Sequence, residues 1–336
     1  MSKIRFQHTY HTIISLENIL DAWKEFSRGK KSRKDVQEFE RDLMTNIISL
    51  HRDLVAKTYR HSAYQAFKIS DPKPRDIHKA SVRDRLLHHA IHRNLMPFFE
   101  RTFISDSTSC QKGKGTHRAL QRFKHFTNSV SMNDTKTVWV LKCDIKKFFA
   151  NIDQTILLEI LAGYIPDRDI VWLISIIVGS FHSSAPGVGL PLGNFTSQLL
   201  VNIYMNEFDQ FMKHKMKAVH YIRYADDFAV LSRDRAYLER ILPLMQEFLW
   251  DRLRLTMHPN KISIETLASG VDFLGWVHFP HHRVLRTATK RRMFANPGIY
   301  AADEAVVNSY KGLLSHGNGW NLTKHILERS QQSDLV

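Results

Sequence analysis

The segment His220–Ser232, HYIRYADDFAVLS, constrains the fold of this chain more than any other. Two adjacent carboxylates, Asp226 and Asp227, stand between the short apolar runs Tyr221-Ile222 and Phe228–Leu231. Runs this short, rich in β-branched and aromatic residues, read as two strands joined by a tight turn. Aspartate is depleted from strands and suits turns, which puts the pair at the hairpin tip. Adjacent like charges repel, so a pair held in a fold calls for a cation, and hard carboxylate oxygens suit Mg²⁺. A solvated Asp-Asp turn is the alternative from this stretch alone, and the remainder of the chain has to decide between them.

A chain of 336 residues is long enough to bury a sizeable core. Its formal net charge of +15, with Lys and Arg spread throughout, is the footprint of a nucleic-acid binder. Two cysteines, Cys110 and Cys143, exclude a disulfide scaffold or a Cys-rich zinc site and fit a reducing cytosol. Lys3, Arg5 and His8 interrupt any apolar leader, and no apolar run approaches a membrane span, so a cytoplasmic protein without membrane contact is expected. The chain has 19 histidines, but His88-His89, His92 and His281-His282 lack a zinc-like frame.

Taken in order, residues 1–63 read as a helical extension, with Ile13, Leu16, Ile19, Leu20 and Trp23 at helical spacing. The basic loop Ser27–Lys34, SRGKKSRK, is either a phosphate contact or a solvated connection. Tyr64–Ile69 alternates as a strand that Asp71-Pro-Lys-Pro stops, and Lys68, Lys73 and Arg75 cluster on this hairpin. Such cations either clamp a triphosphate or keep an edge strand soluble. Val82–Phe99 returns to helix. Cys110–Thr116, CQKGKGT, lacks the Walker A order, so it is a basic loop, with Lys112 and Lys114, ahead of a helix. Val138–Cys143 is an apolar strand delivering Asp144, and Gly187–Asp209 is a Gly/Pro-rich loop feeding a long helix capped by Thr196-Ser197-Gln198. Tyr237–Leu253 is helical, Leu255–Ile264 reads as strand, turn, strand around Lys261, and Val271–Trp276 as an apolar strand with a glycine break. A basic helical tail follows, containing Lys290, Arg291 and Arg292. Three carboxylates from two strands could hold two Mg²⁺ ions across a phosphoryl-transfer site.

The ordered set of strand–Asp144, Gly-rich loop–helix, Tyr-Ala-Asp-Asp hairpin, Lys261 turn and Phe-Leu-Gly-Trp strand resembles the palm of reverse transcriptases from about Tyr64 to Trp276. The resemblance implies an α+β right-hand polymerase. Its parts would be fingers at 64–137, a ferredoxin-like palm with an antiparallel sheet at 138–276, interleaved with the fingers, and a short helical thumb at 277–336. It further implies metal binding by Asp144, Asp226 and Asp227 and the backbone carbonyl of Ile145, with two Mg²⁺ ions that Mn²⁺ can replace. Lys68 (or Lys73) and Arg75 would hold the incoming triphosphate, with Leu192, Gly193, Gln198 and Lys261 also at the nucleotide. Phe149, five residues after Asp144, matches the aromatic gate against a ribose 2′-OH. Phe273, Leu274, Gly275 and Trp276 match the primer grip, and Ser309–Gly312 resembles part of a bacterial thumb. Lys73, Lys112, Lys114, Arg223, Lys290, Arg291 and Arg292 are taken as nucleic-acid contacts.

The implied partners are an RNA template, a DNA or RNA primer and dNTPs. So small a thumb also implies an accessory protein or a structured noncoding RNA. The form Leu192-Gly193-Asn-Phe-Thr-Ser197-Gln198 resembles reverse transcriptases of diversity-generating retroelements and related bacterial groups, some acting in antiphage defence. In the former an aliphatic residue at the Leu192 position goes with misincorporation opposite template adenine; alternatively Leu192 only packs beneath the loop. Phe149 argues against an RNA-dependent RNA polymerase, and the complete carboxylate set against a non-catalytic binding module. If Phe149 is the gate, Phe149→Ala should relax the preference for dNTPs over rNTPs by roughly tenfold or more in single-nucleotide incorporation.

Overall fold

The computed structural model describes residues 4–70, 74–301 and 303–332. Lys73 lies outside the described residues. The strands are β1 (Gln65–Ile69), β2 (Arg75–Lys79), β3 (Trp139–Asp144), β4 (Tyr221–Tyr224), β5 (Asp227–Ser232), β6 (Ser263–Thr266), β7 (Val271–Phe273), β8 (Trp276–His278) and β9 (Arg283–Leu285). Among the described residues no helix is long and apolar enough to cross a membrane. The chain divides into two compact units that interleave: 1–105, 145–215 and 245–256 form one, and 106–144, 216–244 and 257–336 the other. The span 138–276 is therefore shared between units rather than being one of them.

In the first unit helices Leu16–Ser27, Val82–Phe99 and Phe195–Gln210 carry the core. Ser81 caps the second of these by accepting from Asp84 N at 3.1 Å. Asp84 is fully buried, and its carboxylate accepts from Tyr59 Oη (2.7 Å), Ser62 N (3.1 Å) and Ser81 Oγ (2.6 Å). These bonds satisfy a charge that burial alone would penalise. The antiparallel hairpin β1–β2 lies in this unit, and its edge is extended by the loop before Phe195: His78 N donates to Leu192 O at 3.1 Å.

The second unit holds the antiparallel sheet in the order β4-β5-β3-β6. Buried Val140, Ile222, Ala229 and Leu231 pack with Phe123 and Phe126 of helix Thr116–Ser131. Residues 228–231 are all buried, so β5 is covered on both faces, as a continuous apolar run requires. A smaller sheet, β7-β8-β9, packs Trp276 and Leu285 against Met293, Ile299, Leu314 and Ile326 of the terminal helices.

Three local expectations change. Val271–Trp276 is not one strand: Leu274 and Gly275 both take positive φ (50° and 86°) and turn β7 into β8, as a two-residue hairpin loop demands. Of the two strands expected around Lys261 only β6 forms; Pro259–Lys261 is a short 3₁₀ turn, since proline cannot donate to a ladder. The helix after the glycine loop begins at Phe195 with Asn194 as its cap residue, so Thr196–Gln198 lie in its first turn. The Asn194 amide bonds to His78 O at 2.9 Å instead of capping.

Candidate active site

The carboxylates gather in the second unit. β3 and β5 pair so that Asp144 stands directly opposite Asp227, and Tyr224 opposite Asp227 across the β4–β5 hairpin. The turn residues are thus Ala225 and Asp226, and Asp227 opens β5 rather than sitting at the tip. Like charges directly opposed in a sheet are destabilising. Two cations answer them: Lys261 Nζ lies 2.8 Å from Asp144 Oδ1, and Lys142 stands on the same face of β3 as Asp144. The Asp144 carbonyl is also fixed, accepting from His258 N at 2.7 Å. Asp227 Oδ1 is buried without a hydrogen-bond partner. Burial, with Asp144, Asp226 and Asp272 nearby, pushes the Asp227 carboxyl up to about 7 despite Lys142.

These residues fit a divalent cation. The donors are hard oxygens, they crowd negative charge, and one buried oxygen is left unsatisfied. Among the described residues no three His, Cys, Asp or Glu side chains are already closed into a cage. The cluster is open, with Asp144 held by Lys261. Ile145 follows directly, and since its side chain is hydrocarbon only its backbone carbonyl has a donor atom to offer.

The hairpin turn is strained and clamped. Ala225 has φ +54°, a conformation that costs a non-glycine residue about 1–2 kcal/mol. Its N–H donates to Ser109 Oγ at 3.1 Å. Its carbonyl accepts from Arg223 Nη1 at 3.0 Å, while Arg223 Nη2 donates to Ser107 Oγ at 3.0 Å. The segment that supplies these serines is itself laid along β4: Arg223 N donates to Asp106 O (3.0 Å) and Thr108 N to Arg223 O (2.9 Å). Arg223 is therefore a correction to the list of nucleic-acid contacts: it is 0% exposed and bonds to protein. Lys114 likewise turns inward, its Nζ donating to Ser107 O at 3.2 Å, whereas Lys112 is exposed.

The primer-grip residues separate into two kinds. Phe273 and Trp276 are buried, in two different cores, and cannot touch a nucleic acid with their rings. Leu274 and Gly275 form the turn, and a Cβ built on Gly275 would meet nothing within 4 Å. Arg286 ties this turn down by donating to Gly275 O (3.1 Å) and to Asp272. In the tail Arg291 and Arg292 are exposed and Lys290 partly buried.

The remaining nucleotide candidates lie in the first unit. In β1–β2 Ile69 pairs with Arg75 and Lys68 with Asp76, so Arg75 and Lys68 point to opposite faces. Arg75 shares its face with Phe67, Ile77 and Lys79. That face borders a cavity of about 320 Å³ whose wall also includes Lys30, Arg33, Arg85, Gly193 and Gln198. Burial, with Arg85 and Arg33 close by, lowers the Lys30 ammonium below its usual range. Asp35 offsets part of this charge through Lys79 (2.7 Å) and Arg85 (2.5 Å). Gly193 has φ +96°, and a Cβ there would lie 2.8 Å from Ile77 Cγ2, so the loop approaches β2 as only glycine permits. Leu192 is partly buried and Gln198 exposed. Phe148 is core, while Phe149 is less buried and its carbonyl accepts from Leu190 N at 2.8 Å. Lys79, Arg85 and Asn194 were not singled out from sequence, because nothing local marks which lysine or arginine faces a cavity.

Two consequences can be measured. Because folding raises the Asp227 pKa, stability is greatest where the group is protonated and is lost as pH rises through about 7. In metal-free protein Asp227→Asn should raise Tm at pH 8 by roughly 2 °C or more, with the gain shrinking toward pH 4; a gain independent of pH would contradict this origin. Arg223→Lys keeps the charge but loses the two-ended clamp. On the polymerase reading that the sequence resemblance implies, it should slow nucleotide incorporation about 100-fold with little change in dNTP KM and an unaltered circular dichroism spectrum.

Residues 68–278 match the family model described as reverse transcriptase (RNA-dependent DNA polymerase). Protein YkfC of Escherichia coli (strain K12) is 25% identical over 260 residues, covering 66% of this chain and 66% of YkfC. Group II intron-encoded protein LtrA of Lactococcus lactis subsp. cremoris is 26% identical over 209 residues, 60% of this chain and 31% of LtrA. The chain thus spans just under two thirds of the first relative and about a third of the second. In fold it is similar to apo telomerase from Candida tropicalis truncated from its C-terminal domain, with a TM-score of 0.50 and 12% identity over 72% of this chain and 60% of that one. With well over half of its length matched to one family model, and an antiparallel sheet carrying opposed carboxylates beneath a Tyr-Ala-Asp-Asp turn, this chain belongs to the reverse transcriptase family.

Proposed function

We propose that this chain is an RNA-directed DNA polymerase that extends a primer with dNTPs along an RNA template. The observation that carries the reading is the opposition of Asp144 and Asp227 across β3–β5, with Asp226 in the clamped turn beside them. Asp144 and Asp226, with Asp227 and the Ile145 carbonyl, would hold divalent cations, most simply two Mg²⁺ with Mn²⁺ as a substitute. When bound, such ions supply charge neutralisation at the attacking 3′-oxygen and the leaving pyrophosphate.

The protein's own part is position. Lys261 pairs with Asp144, and with a cation bound to that carboxylate it would be released toward the leaving pyrophosphate. Arg75, on the cavity face of the β1–β2 hairpin, is the stronger candidate for the incoming triphosphate, and Lys68 the weaker, because its face is the opposite one. The basic cavity with Lys30, Arg33 and Arg85 suits template backbone, which gives the loop Ser27–Lys34 a role. Leu274-Gly275 supports the primer through backbone, since both flanking aromatic side chains are buried. An accessory protein or structured noncoding RNA would complete the hold on the duplex.

The finer reading is a diversity-generating retroelement enzyme that miscopies template adenines, supported by Leu192 in the loop that joins β2. An aliphatic side chain there removes a polar check on the nascent base pair. A retroelement setting also agrees with the likeness to a group II intron-encoded protein. Asp226→Ala should lower dNTP incorporation on an RNA template roughly a thousandfold, and retained activity would overturn the polymerase reading. Sequencing cDNA copied from a defined RNA should show errors concentrated at template adenines and reduced in Leu192→Gln; an even, low error rate would remove the mutagenic role while leaving the polymerase intact.

A further inference from the structure

A second basic cavity lies in the unit that carries the carboxylates and shares no residue with them. Its volume is about 290 Å³. Three segments enclose it: Lys124 and Thr127 on helix Thr116–Ser131, the β8–β9 turn at 279–282, and the bend at 315–318 between two terminal helices. They are tied together, with Phe279 N donating to His282 O (2.8 Å) and Asn318 N to Arg283 O (2.9 Å). Arg283 Nε donates to the His316 carbonyl as well.

The lining is cationic and aromatic. It presents two cations, Lys124 and Arg283, beside His281, His282 and His316 and no carboxylate; burial, with His117 and Arg283 close by, holds the His316 imidazole below its usual range. Among the described residues only His281 has an acidic partner, Asp134 at 3.3 Å. Lys124 and Arg283 have none within ion-pair distance. Arg283 lies over the Trp276 ring, 5.5 Å from its centroid, which fixes its guanidinium. Two ring pairs sit at the walls, His316 on His117 at 3.6 Å and His282 on Phe279 at 4.8 Å. No three histidines or acids here are placed to hold a metal ion. Two cations without an acidic partner among the described residues, set at a fixed concavity, attract an anion, and rings beside them suit an unpaired base.

We propose that this cavity binds a phosphate of RNA, with an adjacent unpaired base against the histidine rings, at a point outside the carboxylate site. The size suits one nucleotide, and the stacked rings favour RNA over an acidic peptide, which would need only charge. The choice of RNA rests on the polymerase reading; the site itself does not.

The test uses the full chain in EDTA, so that polymerisation plays no part, with a labelled RNA hairpin bearing a single-stranded tail and no primer. Lys124 and His282 are exposed, and neither belongs to the catalytic set, so Lys124→Glu combined with His282→Ala should leave Tm unchanged. The double variant should weaken RNA binding roughly tenfold or more and lower the salt dependence by about one to two ion equivalents. Its incorporation rate on a short DNA-primed template should stay within about twofold of the parent. Unchanged affinity and salt dependence would overturn the proposal. So would displacement of the RNA by inorganic phosphate or AMP at equal concentration, which would indicate a free-nucleotide site, or by polyglutamate of matched charge, which would indicate an acidic protein. Loss of polymerisation in Asp226→Ala with RNA binding intact would separate this site from the copying chemistry.

Discussion

The repulsion between Asp144 and Asp227 is the constraint on which the rest of this structure depends. Directly opposed carboxylates work against the pairing of β3 with β5, and the arrangement persists because Val140, Leu141 and Cys143 of β3 and residues 228–231 of β5 are buried. Val140, Ala229 and Leu231 lie against Phe123 and Phe126, so sliding the register by one residue would exchange the side chains fitted to each buried face. The core thereby forces the charges together. Lys261 and Lys142 relieve part of the repulsion, while burial first and the neighbouring carboxylates second push the Asp227 carboxyl up to about 7. Carboxylates gathered by packing in this way fit a divalent cation, which the proposed phosphoryl transfer would use.

The second constraint is backbone strain at Ala225. A left-handed alanine in a two-residue turn is stable only where neighbours over-determine it. Here Ser109 holds its N–H and Arg223 its carbonyl, and Arg223 is anchored through Ser107. The stretch 106–111 thus supports the candidate active site from beneath the turn, and its one acid, Asp106, pairs with Arg122 rather than joining the carboxylates. In the other unit Gly193 does a comparable service, bringing the loop against Ile77 so that Leu192 O and the Asn194 amide both bond to His78.

Much of this was legible in the residues themselves. The alternation and apolar runs mark β1, β3 and β5, the helical spacing marks Val82–Phe99, and the ordered motifs point to the reverse transcriptase family. The errors share one cause, the dependence of side-chain direction on distant partners. Arg223 looks like a surface cation by composition but lies beneath the turn. Phe273 and Trp276 sit in a motif that suggests contact with primer, yet their rings fill two cores. Lys68 and Arg75 look equivalent in spacing, and only the register of β1 on β2 assigns them to opposite faces.

The sequence by itself determined the acidic turn, the strand that leads into Asp144 and the order of motifs that identifies the family, because these depend on local chemistry and chain order. The tertiary structure decided that Asp227 faces Asp144, that Arg223 supports rather than binds, and which cations share a cavity. Each of those depends on pairing register or on burial by segments remote in the chain, and no local pattern of residues encodes either.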